Sequence, residues 1–223
     1  MWDYQALTVI HILLFVFWLG TDVGVFYMGM LIQQESLSLE TRGTLGKVMH
    51  VLDQFPRTCL ILMIPVAIGL VRVGGWGFGD VSVAVLWLIA AVAIAWAAAS
   101  IWAIGFHAAP RAARAFMLSD RLLRAALVAL AVAVLSLSGS GSGPLPEMWL
   151  IVKLALFTSI VLAGALIDVL PNPFADLNLI LTSGSTPERE AGLRRGLAYV
   201  YPVVVYIYLA LITMCIFAVI KIA

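Results

Sequence analysis

Hydrophobic positions in this chain do not alternate with polar ones. They run together in six long stretches, at about 5–31, 52–72, 82–105, 121–138, 147–170 and 198–221. A helix rises 1.5 Å per residue, so about 20 apolar residues cross the roughly 30 Å of bilayer hydrocarbon. Barrel strands would instead show segments of about ten residues with alternating character. The pattern therefore predicts an all-α integral membrane bundle of about six transmembrane helices, forming a single domain over 1–223. The first stretch lacks a positive leader, is too long for a signal-peptide core and is followed by no small-residue cleavage site, so it reads as a retained helix. Between the helices, Gly139 to Pro146 reads as a flexible linker. The 171–194 stretch, with Pro171, Pro173 and a Ser-Gly-Ser-Thr-Pro turn, reads as a solvated loop long enough to dock a partner. No solenoid-type repeat is visible.

Composition sharpens this picture. Of 223 residues, 63% are hydrophobic and 11% charged, against about half and a quarter in a soluble domain. Mean hydropathy is +1.08. These values exclude a soluble enzyme, a disordered chain and a nucleic-acid binder, which needs a basic excess; the net charge here is +1. Cys59 and Cys215 both stand in apolar runs, which predicts small packed hydrophobes and no disulfide framework. The basic residues are unevenly placed. Arg42, Lys47 and Arg57, then Arg111, Arg114, Arg121 and Arg124, then Arg189, Arg194 and Arg195 all fall on one side; Arg72 and Lys221 fall on the other. The positive-inside rule puts the arginine-rich connections in the cytoplasm and both termini outside.

An ionisable group inside a bilayer costs about 2.5–3.5 kcal/mol on insertion scales, so each one is a functional candidate. His11, Asp22, Lys153 and Asp168 lie inside the predicted helices; His50, Arg57 and His107 lie near the arginine-rich boundary. On a helical wheel His11, Phe15, Trp18 and Asp22 fall within about 60° of one another. His11 reads equally as a core histidine and as a metal or heme ligand. Lys153, about six residues into its helix, either snorkels to the headgroups or presents a desolvated amine for coordination or proton transfer. His11 and Lys153 enter from the same side to the same depth, so they can meet across the bundle with a metal or porphyrin between them. His50 and His107 are boundary histidines or a second ligand pair. Asp22 and Asp168 predict either an ion pair with Arg57 or a proton relay. Gly20 and Gly24 allow close helix approach, within the chain or in an oligomer.

Two segments carry a resemblance. Val9-Ile10-His11-Ile12-Leu13-Leu14-Phe15-Val16-Phe17-Trp18-Leu19-Gly20 resembles the first helix of the HemJ-type protoporphyrinogen IX oxidases, with His, Trp seven residues later, then Gly. Trp149-Leu150-Ile151-Val152-Lys153-Leu154 is similar to that family's lysine-bearing helix, and Arg195, Pro202 and Lys221 resemble its end. CopD-like heme and copper-resistance membrane proteins share the general pattern. The resemblance covers about helices 1, 2, 5 and 6. It implies heme b bound through His11 and Lys153, with iron as the metal. It also implies an oxidoreductase of the bacterial inner membrane, acting on a lipophilic substrate such as a porphyrinogen or a quinol. Trp18, His50 and His107 are further cofactor-binding candidates, and Lys153 and Asp22 the catalytic ones. Expected partners are membrane lipid, quinone or porphyrin, and a membrane or periplasmic redox protein. The sequence also departs from the family. Tyr199, Val200 and Tyr201 stand where its final helix carries an Asn-Glu pair, and helices 3 and 4 look like an inserted hairpin, with Trp87, Trp96 and Trp102. Two other readings are an electron-transfer subunit using His50 and His107 as well, and a non-redox transporter or assembly subunit using Asp22, Asp168 and Lys153.

Overall fold

The computed structural model describes residues 4–105 and 110–220. His107 and Lys221 lie outside the described residues. Eight α-helices follow one another: α1 Tyr4–Ile32, α2 Leu39–Leu52, α3 Gln54–Val73, α4 Val83–Ser100, α5 Pro110–Gly139, α6 Met148–Ile167, α7 Pro173–Ser183 and α8 Pro187–Ile220. A π-helical turn, Ile101–Gly105, continues α4. No strand occurs among the described residues. Six helical stretches are long and apolar enough to cross a membrane, with α2 and α3 counted together. Leu88, Ile94, Leu130 and Leu209 are each at least 60% exposed. Such an apolar exterior suits lipid, since a soluble protein rarely carries a large contiguous one.

Local chemistry sets the helix ends. The Ser38 hydroxyl accepts from the Thr41 N–H at 3.1 Å and opens α2. Ser82 opens α4 in the same way. The Asn172 side chain accepts from the Phe174 N–H at 2.9 Å, with Pro173 at the first turn of α7. Each supplies an acceptor for a backbone donor that the first turn leaves unpaired. Gly184, at φ 86°, ends α7 in a conformation that an L side chain resists.

Packing occurs in layers. One cluster, with Trp18, Cys59, Met63, Ile160, Ile207 and Leu211, joins α1, α3, α6 and α8. Ile61, Ala93, Trp96 and Ala97 fix α4 against α3, with Phe116 of α5 alongside. Leu145, Trp149 and Leu150 close the end that carries the two termini.

The arginine-rich end differs from its sequence reading. The connection around Arg42 is not a loop but α2, and 171–194 is not a plain solvated loop but holds α7 and the first turns of α8. Ile32, Met49, Leu177, Ile180, Leu193 and Leu197 form a cluster of their own there, with Ile180 and Leu193 fully buried. Likewise α5 begins at Pro110 rather than about 121, and α8 at Pro187 rather than about 198. The charged early turns of both helices lowered the hydropathy without breaking the helix. The result is a helical cap, built from α2, α7 and the extended ends of α1 and α8.

A buried ion pair holds the cap. Arg42 donates from Nη1 and Nη2 to the two carboxylate oxygens of Glu190 at 2.7 and 2.8 Å, and from Nε to the Ile32 carbonyl at 2.8 Å. Ser185 donates to Glu190 at 2.7 Å. Both ionic side chains are 1% exposed. The bidentate geometry and the added bonds offset the desolvation of two buried charges.

Candidate functional site

The sequence-predicted residues fall into two layers. His11 and Lys153 make up the first. Both are half-buried, on α1 and α6, toward the end that holds the termini. α1 packs chiefly on α3 and α2, and α6 on α8 and α5, so the two residues stand on helices that are not packed as a pair. They are close enough for the Lys153 charge to act on His11. His11 Nδ1 is buried and has no hydrogen-bond partner. A histidine serving only as a core residue normally spends that nitrogen on a hydrogen bond, because an unpaired buried polar atom costs free energy. An unspent, buried imidazole nitrogen within electrostatic reach of an amine is chemically able to bind a metal. Lys153 Nζ lies 5.5 Å from the centroid of the Trp149 ring, within cation–π range. Among the described residues, no group of three or more His, Cys, Asp and Glu is placed to hold a metal ion.

The second layer is a chamber of about 540 Å³ between the membrane core and the cap. Along α1 it runs from Trp18 to Gly29, about 16 Å at the helical rise. Four aspartates line it, Asp22, Asp53, Asp120 and Asp168, with three arginines, Arg57, Arg121 and Arg124, and His50. Trp18, Phe26, Trp96 and Phe116 supply aromatic wall. Asp22 lies eleven residues from His11, about 16 Å along α1, and Trp18, 3% exposed, stands between them. The structure thus brings His11 and Lys153 together, and Trp18, Asp22 and His50 together, but places Asp22 and Lys153 in different layers.

The ion pairs depart from the sequence reading. Arg57 pairs with neither Asp22 nor Asp168. Its nearest carboxylate oxygen is on Asp120, at 3.9 Å. Asp168 pairs instead with Arg124 at 2.5 Å, and the same Nη2 reaches Asp120 at 2.5 Å. Trp96 donates to Asp120 at 2.8 Å. α5 lies against α6, which puts Arg124 nearer to Asp168 than any residue of α3. Asp53 and Asp120 are the functional residues that sequence reasoning missed. Both begin an Asp-to-Arg pair four residues apart, Asp53/Arg57 and Asp120/Arg124, a spacing that puts opposite charges on one helix face. Of the inserted hairpin's tryptophans, Trp96 is buried in the chamber wall, whereas Trp87 and Trp102 are more than half exposed toward the lipid side. Cys59 is buried, as expected of a small hydrophobe; Cys215 is exposed, and both are free thiols.

No known protein family matches this chain. No curated protein and no solved structure matches it either. Its function must therefore be argued from the two layers themselves.

Proposed function

We propose that this chain is a heme b-binding integral membrane oxidoreductase of HemJ-like type, in which His11 and Lys153 hold the iron. The observation that carries the reading is the buried, unpartnered Nδ1 of His11 within electrostatic reach of Lys153. When bound, the heme supplies one-electron redox chemistry, with a potential set by its ligands and burial. The protein's own residues do the rest. The apolar side chains of α1, α3, α6 and α8 exclude water from the ligand layer. Trp18 and its cluster separate that layer from the charged chamber. The chamber carboxylates accept protons that a lipophilic substrate such as a porphyrinogen or a quinol loses on oxidation. By the distribution of arginines, the chamber end faces the cytoplasm of a bacterial inner membrane.

The test is spectroscopic and needs no turnover. His11→Ala is expected to abolish the Soret band of protein purified from heme-supplemented cells. Lys153→Met, which keeps the stem length, should retain heme but change the spin state. Full heme with an unaltered spectrum in both variants would refute the assignment. A second reading is favoured by the chamber alone. Four aspartates and three arginines around one cavity also suit an ion or proton pathway, and proton flux in liposomes by heme-free protein would support it.

A further inference from the structure

The charged groups of the chamber are only partly paired: Arg124 joins Asp120 and Asp168. No hydrogen bond or ion pair reaches the side chain of Asp22 or Asp53 from any described residue, yet the two carboxyl groups are close enough for their charges to interact. On the donor side, the only carboxylate within 4 Å of Arg57 among the described residues is Asp120, at 3.9 Å, although its charge and that of His50 also act on Asp53. The Nε–H groups of both Arg57 and Arg124 are buried and unpartnered, and Arg121 pairs with no described residue. The chamber therefore holds unspent acceptors and unspent donors at once, beside an aromatic wall. Of these groups the two arginine Nε–H donors are buried, and buried polar groups are seldom left unpaired.

These features select among occupants. The lining has four aspartates against three arginines, so it has no positive surplus to attract a dianion. A tetrapyrrole with two propionates would meet Asp22 and Asp53 as like charges. A plain hydrocarbon would leave every polar group unspent. The requirement is a neutral, membrane-soluble molecule with a flat ring for the aromatic wall and polar groups that donate and accept. A quinol donates from its hydroxyls to carboxylates, and a quinone accepts at its carbonyls from guanidinium N–H groups. A cavity of about 540 Å³ lies within the usual range for one small ligand, about 300–1,000 Å³.

We infer that the chamber between the membrane core and the cap binds the ring of a membrane quinone or quinol, with Asp22, Asp53 and Arg57 as its polar anchors. This deepens the oxidoreductase reading by naming the substrate class, and it rests on that reading for the ligand's role. The binding itself needs no heme. Gly164 provides a steric handle, because it lines the chamber and a Cβ added there meets nothing within 4 Å. Gly164→Leu therefore fills the chamber without disturbing the helix and without removing a charge.

The experiment titrates the purified full-length protein in phospholipid nanodiscs with decyl-ubiquinone and reads the quenching of tryptophan fluorescence, since Trp18 and Trp96 are in the wall. Saturable quenching is expected for wild type. Asp22→Asn and Arg57→Gln should each weaken it by about tenfold or more, the scale of one lost hydrogen bond to a charged group, and Gly164→Leu should weaken it by occupying the space of the ring. His11→Ala should leave it unchanged. Loss of heme in His11→Ala with quinone affinity intact separates the two layers as described. Heme with no saturable quinone binding overturns the chamber proposal alone; quinone binding without heme in the wild type overturns the heme reading alone. Affinity indifferent to Gly164→Leu, or abolished when phosphatidylethanolamine replaces phosphatidylcholine in the nanodisc, contradicts a quinone site. The second result would give the chamber to a zwitterionic headgroup.

Discussion

At the scale of single residues, two buried polar groups contrast. Arg42 has every charged partner it needs, and His11 Nδ1 has none. The first is structural, and its removal should be severe. Arg42→Ala leaves the Glu190 carboxylate buried and unpaired, a loss of about 3–5 kcal/mol. A clear fall in the melting temperature of the detergent-solubilised protein is the expected outcome; a shift within error would mean that water replaces the guanidinium. The unpaired His11 nitrogen is by contrast available for function. Sequence reasoning singled out His11, Lys153 and Asp22 as candidates, because an ionisable residue within an apolar run stands out on insertion cost alone. It did not find Arg42 and Glu190, which sit in polar stretches where charges are ordinary. Nor could it choose the partner of Asp168. Arg57 and Arg124 are both near that boundary in the sequence, and only the packing of α5 on α6 decides for Arg124.

At the scale of helices, hydropathy located the spans and misjudged their ends. All six apolar stretches are helical, but α5 and α8 each begin eleven residues before the predicted start. Their first turns, Pro110 to Asp120 and Pro187 to Leu197, mix charges with apolar residues and fall below a membrane threshold. The same averaging concealed α2 and α7. α7 can be tested directly. Ile180 is 0% exposed in a stretch that reads as a loop, and Ile180→Ala should cost about 2–5 kcal/mol, the range for a large-to-small change in a packed core. Faster hydrogen exchange confined to α2, α7 and the start of α8 would show that the cap is one cooperative unit; unchanged exchange would show that α7 is only loosely held. Gly46 probes the same contact from α2. An added Cβ would lie 2.8 Å from the Leu177 Cδ2, so Gly46→Ala forces that side chain to give way, at a cost of about 1–3 kcal/mol for overpacking. A melting temperature at or above wild type would show that Leu177 rotates aside freely.

At the scale of the molecule, the chain is a membrane bundle with a helical cap at its arginine-rich end and a charged chamber where the two meet. The bundle was readable from composition because lipid demands long apolar runs. The chamber was not, because residues from all eight helices line it, and no local pattern records which residues converge. Orientation is a whole-molecule property with its own test. Single cysteines introduced at Ser142 and at Ser183, in a background lacking Cys59 and Cys215, should react with an impermeant maleimide from opposite sides. Ser142→Cys is expected to label in intact cells, and Ser183→Cys only in inside-out vesicles. The reverse pattern would put the chamber outside and break the link between arginine placement and topology.

The most direct measurement of the central claim is heme stoichiometry. The full-length protein would be purified in mild detergent from heme-supplemented cells and assayed by pyridine hemochrome together with a reduced-minus-oxidised spectrum. The account predicts one heme b per chain, lost in His11→Ala. No heme in the wild-type protein would contradict it.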